Sequence, residues 1–275
     1  MWKISIICKY MIKKLLFVAL AILGMTACSN EPKALVLYYS QTGTTKAVAM
    51  QIAAQTGADI EAFDAVEPYS GTFAETVLRG QKEMNEGILP EITAIKANIA
   101  KYDIIYLGYP VWFGTYALPV QKLLKDIDLS GKTIVPFCTF GSGGIDETVA
   151  QLRSELPDAD VRDGYGVRTA RVDKAAAEVE RFLTASGLKA GEPLELPEYS
   201  EQKPVTEAEA LQFDEACGSY QFPLGTPVTC GSRQTPYGVE YLYFAESAGM
   251  DGAVSTSKIY VLVAGGKAEF TKVVR

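Results

Sequence analysis

The sequence predicts an α/β fold: a doubly wound parallel sheet of five strands, followed by a smaller α+β domain. Segments that are apolar throughout alternate with stretches of helical spacing, which is typical of strands that are buried on both faces and joined by helices. After residue 204 the sequence becomes rich in β-formers, with Gly265-Gly266 between two β-rich runs, a pattern that indicates a hairpin. The 275 residues suffice for both domains.

Each predicted strand of the sheet precedes a predicted helix. The strands are 34–39, 58–63, 102–107, 132–137 and 161–167. The helices are 45–55, 72–86, 119–126, a segment that follows 141–144 and ends at Leu152, and 173–186. In such sheets ligands bind at the carboxyl ends of the strands, where the strand order reverses.

The second half of the chain has a different pattern. Residues 187–204 carry three prolines among charged residues and glycines, which predicts a linker. Beyond it, 205–275 contain a short helix near 206–216 and then β-rich sequence, including 238–244, 257–263 and 269–274. We therefore expect a domain at 28–186, a linker at 187–204 and a small α+β domain of unassigned role at 205–275.

The N-terminal segment has the features of a secretory signal. Lys13 and Lys14 precede an apolar run, 15–25, that is too short for a stable spanning helix. Thr26-Ala27-Cys28 then resembles a bacterial lipobox, with Met25 where leucine is usual. The resemblance implies that 1–27 are removed and that Cys28 receives a diacylglycerol. The protein would then be lipid-anchored in the bacterial cell envelope, on the outer side of a membrane; an ordinary cleaved signal and an uncleaved anchor are the alternatives.

The composition excludes several functions. The chain has no histidine, so Ser-His-Asp and Cys-His nucleophile pairs, histidine zinc ligands and histidine proton shuttles are absent. The formal charge is −7 and basic runs are missing beyond the first residues, which argues against a nucleic-acid partner.

The cysteines agree with export. Cys217 and Cys230 lie 13 positions apart and are possible disulfide partners in an oxidising compartment; the alternative is two separate buried thiols. We expect Cys138, within a buried-looking strand, to be a core residue. No metal site is expected, because too few ligands have the required spacing.

The loop after the first strand is rich in hydroxyl groups. Ser40-Gln41-Thr42-Gly43-Thr44-Thr45 combines four hydroxyl side chains with a flexible glycine at the start of a helix. Hydroxyls, backbone amides and the helix dipole suit one phosphate monoester. The alternative is that the turn merely caps the helix.

The loops after the third and fourth predicted strands are rich in glycine and aromatic residues. They read Gly108-Tyr109-Pro110-Val111-Trp112-Phe113-Gly114-Thr115 and Pro136-Phe137-Cys138-Thr139-Phe140-Gly141-Ser142-Gly143-Gly144. With the first loop, they resemble flavodoxin-like FMN proteins over residues 34–186, in particular flavodoxins and flavin-dependent quinone or NAD(P)H reductases. The resemblance implies FMN as cofactor, held by the following residues: Ser40, Gln41, Thr42, Gly43, Thr44, Thr45, Pro110, Val111, Trp112, Phe113, Gly114, Thr139, Phe140, Gly141, Ser142, Gly143 and Gly144.

Aromatic and glycine residues suit a flavin ring. Trp112 or Phe113 could stack on one face and Phe140 on the other; the alternative for the first two is a contact patch between domains. The glycines would let the main chain approach the ring; they are 108, 114, 141, 143 and 144.

The second loop is uncharged, and Asp146 and Glu147 follow the third. Few charges near the ring favour a two-electron reductase over a one-electron carrier. The groups that could orient a substrate are Tyr109, Tyr116 and Arg79, the last of which could equally be a solvated helix charge. No catalytic residue is assigned.

These features predict an exported, lipid-anchored FMN protein that transfers electrons to a quinone-like or protein acceptor. Its electron donor and acceptor are not identified by the sequence. The alternative function is a non-enzymatic envelope binding protein, in which the flavodoxin-like domain is a scaffold and 205–275 recognise a partner.

Overall fold

The computed structural model describes residues 32–141, 144–220, 222–249 and 252–275. Within it, Lys33–Arg275 form one compact unit that contains two sheets. The predicted signal segment with Cys28, and the loop residues Ser142 and Gly143, lie outside the described residues. None of the helices in the described part is both long and apolar enough to cross a membrane.

The first sheet is parallel and contains the strands predicted for the doubly wound domain. Its strands are β1 (Ala34–Tyr39), β2 (Asp59–Phe63), β3 (Ile104–Trp112), β4 (Thr115–Tyr116), β5 (Thr133–Phe140), β6 (Asp160–Val161) and β7 (Tyr165–Arg168). The order is β2-β1-β3-β5, with β6 and β7 both pairing with β5, and the short β4 pairs antiparallel with β3. The strand order therefore reverses between β1 and β3, which confirms the predicted fold class and locates its ligand crevice.

Helices cover both faces of this sheet. They are α1 (Thr44–Thr56), α2 (Phe73–Glu86), α3 (Leu118–Asp126), α4 (Ile145–Glu155) and α5 (Ala175–Ala185). Alternate residues of β1 enter different cores: Leu35 and Leu37 pack with residues of α3 and α4, and Val36 packs with residues of α1 and α5. Burial on both faces explains why the strand is apolar throughout.

Two strands are longer than the sequence predicts. β3 and β5 pair as far as Tyr109 with Cys138 and Pro110 with Thr139, so the beginnings of both predicted loops belong to the sheet. At Gly108 an added Cβ would clash with Phe137. Gly108 therefore allows packing between neighbouring strands, which is a structural reason for glycine at this position.

The fifth predicted strand is divided into two short strands. Ile134 pairs with Val161, whereas Phe137 pairs with Tyr165, so β6 and β7 together carry one more residue than β5 over this stretch. Pro136 lies between the two pairings and cannot donate to the ladder. The extra residue is accommodated where that donor is missing.

The second sheet is antiparallel and carries one helix, as predicted. Its strands are β8 (Lys203–Pro204), β9 (Thr226–Thr235), β10 (Gly238–Ala248), β11 (Val254–Ala264) and β12 (Lys267–Val274), in the order β12-β11-β10-β9-β8. The helix α6 (Glu207–Cys217) packs through Phe213 against Tyr243, with ring centroids 5.3 Å apart. Gly265 and Gly266, with φ of 57° and 76°, form the predicted turn between β11 and β12.

The predicted disulfide is not formed. Cys217 and Cys230 are free thiols, both buried in the apolar cluster between α6 and the second sheet. Each fills the core as a small apolar side chain, and burial raises the pKa of each thiol to about 12. The alternative of two separate buried thiols describes the structure.

The two sheets meet along β7 and β12. The Arg168 guanidinium donates to the Phe270 carbonyl oxygen at 3.1 Å and lies 4.3 Å from the Phe270 ring centroid. Lys272 pairs with Asp146 at 3.0 Å, in the first turn of α4. The second sheet thus contacts the segment that follows β5, beside the predicted ligand crevice.

Candidate functional site

The first loop leaves the start of α1 open. β1 ends at Tyr39, and Gly43 precedes the helix with φ of 87°, a left-handed conformation that glycine adopts without a Cβ penalty. Ser40 Oγ accepts a hydrogen bond from the Lys46 amide at 3.1 Å. Ser40 therefore contributes to the cap, which was the alternative interpretation of this loop.

Two backbone amides remain for a ligand. Among the described hydrogen bonds, the Thr44 and Thr45 amides have no acceptor, and Gly43 offers no side-chain cap. Thr42 is exposed beside them, and its hydroxyl lies 3.2 Å from that of Thr44. Free amides at the positive end of a helix dipole, next to exposed hydroxyls, suit a phosphate.

Thr45 has a different orientation from the other hydroxyl residues. It is buried, and its hydroxyl lies 2.8 Å from that of Thr139, itself buried at the end of β5. Thr44 also approaches Thr139, at 3.4 Å. The first and third predicted loops are therefore joined by a buried hydroxyl pair, and the Thr45 hydroxyl is engaged within the protein.

Gln41 also points away from the open amides. Its amide nitrogen donates to Thr76 Oγ1 at 3.0 Å, and it lies 3.4 Å from the Tyr69 carbonyl oxygen. Gln41 thereby holds the start of the first loop against α2.

The second loop is a tight turn between β3 and β4. Its two central residues have positive φ, 51° for Phe113 and 82° for Gly114. For Phe113 this conformation costs about 1–3 kcal/mol. The Phe113 ring packs over α2, where an added Cβ on Gly80 would lie 3.3 Å from it. The absence of a side chain at position 80 thus permits this contact.

Two tyrosines pack against Trp112 in T-shaped arrangements. The ring of Tyr69 lies 4.8 Å and that of Tyr39 5.9 Å from the Trp112 ring, both edge-on. The Tyr69 hydroxyl donates to Glu83, and the Arg79 guanidinium covers the Tyr69 ring at 4.0 Å. Burial and the bond to Glu83 raise the pKa of Tyr69. The rings of these tyrosines fix the indole of Trp112.

Arg79 is occupied by this cluster. Its Nε donates to Glu83 at 2.8 Å, and Nη1 donates to the Glu67 and Pro68 carbonyl oxygens. Arg79 is thus neither a solvated helix charge nor free for a substrate: it supports Tyr69, and through it Trp112. Nothing in the spacing of the sequence connects Tyr69 with Trp112, so the role of Tyr69 could not be predicted from the sequence.

The third loop differs from its prediction at Phe140. The side chain is 5% exposed and belongs to the core cluster that includes Ile145 and Val149. Phe140 is therefore not an exposed platform for the second face of a ring, because β5 extends to it and turns it inward. Gly141 is exposed and Gly144 precedes α4.

The two tyrosines considered as substrate-orienting groups are structural. Tyr109 donates to Thr148 Oγ1 at 3.0 Å and Tyr116 donates to Glu155, and both side chains are 0% exposed. Desolvation is the largest cause of the raised pKa of both hydroxyls. They are core residues with satisfied polar ends.

The remaining predicted residues line the same strand ends. The Pro110 carbonyl oxygen accepts from the Ala117 amide at 3.2 Å, and Val111 packs on the core. Burial raises the pKa of Cys138, as expected for a core thiol. Within the described ranges, no group of three or more cysteine, aspartate and glutamate residues is arranged to hold a metal ion.

The parallel strands follow the order β2-β1-β3-β5, with β6 and β7 together as the fifth position, and an open helix start and an aromatic turn lie at the switch point. This arrangement defines a flavodoxin-like nucleotide-binding protein. The profile of the family described as Flavodoxin matches residues 33–181, more than half of the chain. The chain belongs to this flavodoxin family. That membership supports FMN as the cofactor.

Solved structures resemble about half of the chain. Two are described as flavoproteins, from Bacteroides eggerthii (28% identity, TM-score 0.47) and Bacteroides uniformis (25%, 0.49). A third is a flavoprotein in complex with FMN from Lactobacillus acidophilus (24%, 0.45). They cover 55%, 54% and 53% of this chain and 99%, 98% and 99% of their own. No match was found among the curated proteins.

The residues present fit a flavin mononucleotide at its phosphate end. The free Thr44 and Thr45 amides and the exposed Thr42 hydroxyl suit a monophosphate. Trp112 and Phe113 lie at the neighbouring strand end, and Phe113 is 43% exposed. An exposed aromatic ring at the strand end next to the open helix start is consistent with a ligand that carries a flat apolar group and a phosphate.

Proposed function

We propose that this chain binds FMN and transfers electrons through it to a quinone-like or protein acceptor. One observation carries the proposal. Where the strand order reverses between β1 and β3, the Thr44 and Thr45 amides have no acceptor, and the next strand ends in the turn at Phe113 and Gly114. When bound, FMN supplies the one- and two-electron chemistry, and the protein supplies orientation and environment.

Each part of the site has a distinct task in this proposal. The Thr44 and Thr45 amides and the Thr42 hydroxyl hold the phosphate, and the hydroxyl pair of Thr45 and Thr139 keeps the two loops in register. Trp112, fixed by Tyr39 and Tyr69, offers its indole as a rigid neighbour to the ring. A preorganised site of this kind binds with a smaller loss of conformational entropy.

A charge-specific variant tests the phosphate end. Thr42→Glu places a carboxylate beside the phosphate, whereas Thr42→Gln adds similar bulk without charge. We expect Thr42→Glu to raise the FMN dissociation constant at least tenfold over Thr42→Gln, measured by quenching of FMN fluorescence. Equal affinities, or a purified protein that stays colourless with FMN at tens of micromolar, would contradict the proposal.

The electron-transfer step needs a separate assay. FMN-loaded protein is mixed with NADH or NADPH under anaerobic conditions, then with a soluble benzoquinone, and flavin absorbance is followed. Bleaching by the nicotinamide and recovery with the quinone support a reductase. A flavin that only dithionite bleaches would argue against a nicotinamide donor and leave a protein donor to be sought.

We further propose that the protein is exported and lipid-anchored through Cys28. The support is the short apolar run after Lys13 and Lys14 and the resemblance of residues 25–28 to a lipobox. Mass spectrometry of the N-terminal peptide from cells expressing the full chain should find a diacylglycerol on Cys28. A Cys28→Ser variant should leave the membrane fraction; unchanged membrane association of this variant would contradict the anchor.

A further inference from the structure

A cavity lies between the doubly wound domain and the second sheet, away from the three loops. Its volume is about 400 Å³, within the range of small-molecule sites. Side chains of α5 and of β9–β12 line it, together with Leu194 and Leu196 of the segment between the domains. None of the residues assigned to FMN contributes to it.

Two arginines of this cavity have carboxylate partners. Arg171, 4% exposed, pairs with Glu178 and with Glu269 at 3.0 Å. Arg233 directs Nε and Nη2 to Glu240 Oε2, at 2.7 and 2.6 Å. Their charges are compensated within the protein.

Arg181 differs from both. In the part of the chain that the structure describes, it forms no ion pair and no hydrogen bond, and its Nε is buried without a partner. Its guanidinium lies 4.0 Å from the ring centroid of Tyr237, which fixes it at the cavity wall. Arg181 lines the cavity, so the guanidinium nitrogens other than the buried Nε can form a charge-assisted pair with an incoming anion.

The apolar part of the wall consists of Phe182, Ala185, Leu194, Leu196 and Leu262. Glu178 and Glu240 also line the cavity, and these carboxylates are paired with Arg171 and Arg233. The Phe182 ring lies 6.0 Å from that of Tyr165. A ligand that satisfies Arg181 therefore also needs an apolar body, because a small inorganic anion would leave this surface in contact with water.

We propose that this cavity binds a small organic monoanion, with its carboxylate on Arg181 and its apolar part against Phe182 and the leucines. Because helix α5 of the first domain and strands of the second both line the cavity, the ligand would bridge the two domains. This assigns the second domain a part in ligand binding.

Calorimetric titration of the full chain with 4-phenylbutyrate tests the proposal, with 4-phenyl-1-butanol as the uncharged counterpart. We expect one 4-phenylbutyrate per chain and at least tenfold weaker binding of the alcohol. Arg181→Met, which keeps the length and removes the charge, should weaken 4-phenylbutyrate binding at least tenfold. Arg181→Lys should retain part of it. Arg162→Met, which removes an exposed arginine outside the cavity, should leave binding unchanged.

A second measurement identifies the residue directly. In ¹⁵N-labelled protein, the Nε–Hε signal of Arg181, assigned as the one missing in Arg181→Lys, should shift with 4-phenylbutyrate and not with the alcohol. No binding of 4-phenylbutyrate at millimolar concentration overturns the proposal. Equal binding of acid and alcohol, or equal binding to Arg181→Met, also overturns it.

Discussion

The buried hydroxyl pair between Thr45 and Thr139 leads to a quantitative prediction about stability. The oxygens are 2.8 Å apart, and the residues are 1% and 2% exposed, so water does not replace a lost partner. Valine has nearly the shape of threonine without the hydroxyl. Each single valine variant leaves one buried hydroxyl without its partner, which costs about 1–3 kcal/mol of unfolding free energy. In Thr45→Val, the Thr139 hydroxyl still lies 3.4 Å from that of Thr44.

The double variant gives the decisive comparison. Thr45→Val/Thr139→Val removes both polar atoms, so its cost should be below about 1 kcal/mol, and the two single effects should not add. Urea unfolding of FMN-free protein, followed by far-UV circular dichroism, measures all three. Thr42→Val, at an exposed position, should change stability by less than about 0.5 kcal/mol. Additive single effects would show that the two hydroxyls are energetically independent and refute the reasoning.

Three further predictions concern packing, charge and pH. Gly108→Ala should cost about 1–3 kcal/mol of unfolding free energy, because its Cβ enters the space of neighbouring core side chains. Arg171→Met should cost about 1–3 kcal/mol, because it leaves the largely buried Glu178 unpaired while the more exposed Glu269 stays in contact with water; Lys272→Met, which breaks an exposed pair, should cost less than about 1 kcal/mol. Since burial raises the pKa of Cys217 and Cys230 to about 12, the unfolded thiols lose protons first, and the free energy of unfolding should fall as pH rises from about 9 to about 12.

Each of these predictions has a matched control in urea unfolding experiments. Gly141→Ala, where an added Cβ meets nothing within 4 Å, should be neutral, and a loss equal to that of Gly108→Ala would contradict the packing argument. Equal losses of unfolding free energy in Arg171→Met and Lys272→Met would contradict the argument that the buried pair contributes more than the exposed one. A Cys217→Ala/Cys230→Ala variant should lose less stability at high pH, and an unchanged pH dependence would assign the loss to other groups.

Much of the first domain was predictable because its signals are local. The strand at Ala34–Tyr39 was predicted with its observed bounds, since an uninterrupted apolar run between polar segments has few other structures available. The ends of the next strands were less predictable. Whether β3 continues through Pro110 to Trp112 depends on pairing with β5, a contact between residues far apart in the chain.

In the candidate site, too, some features follow from neighbouring residues and others from contacts between distant segments. A hydroxyl-rich turn with glycine at the start of a helix is a local pattern, and Gly43 adopts the left-handed conformation that the turn requires. The direction of each hydroxyl is not local. Thr45 faces Thr139 because α1 packs on the sheet at that angle, and Phe140 turns inward because β5 extends to it. Contacts of this kind exist only after the sheet has formed.

The sequence by itself determined the alternation of strands and helices, the position of the hydroxyl-rich loop and the separate character of residues 205–275, because periodicity and turn residues act over a few neighbours. The tertiary structure alone decided that Tyr69 and Arg79 fix Trp112, that Cys217 and Cys230 remain thiols, and that Arg181 faces a cavity without a carboxylate partner among the described residues. The physical reason is that burial and charge pairing depend on which distant segments share a surface.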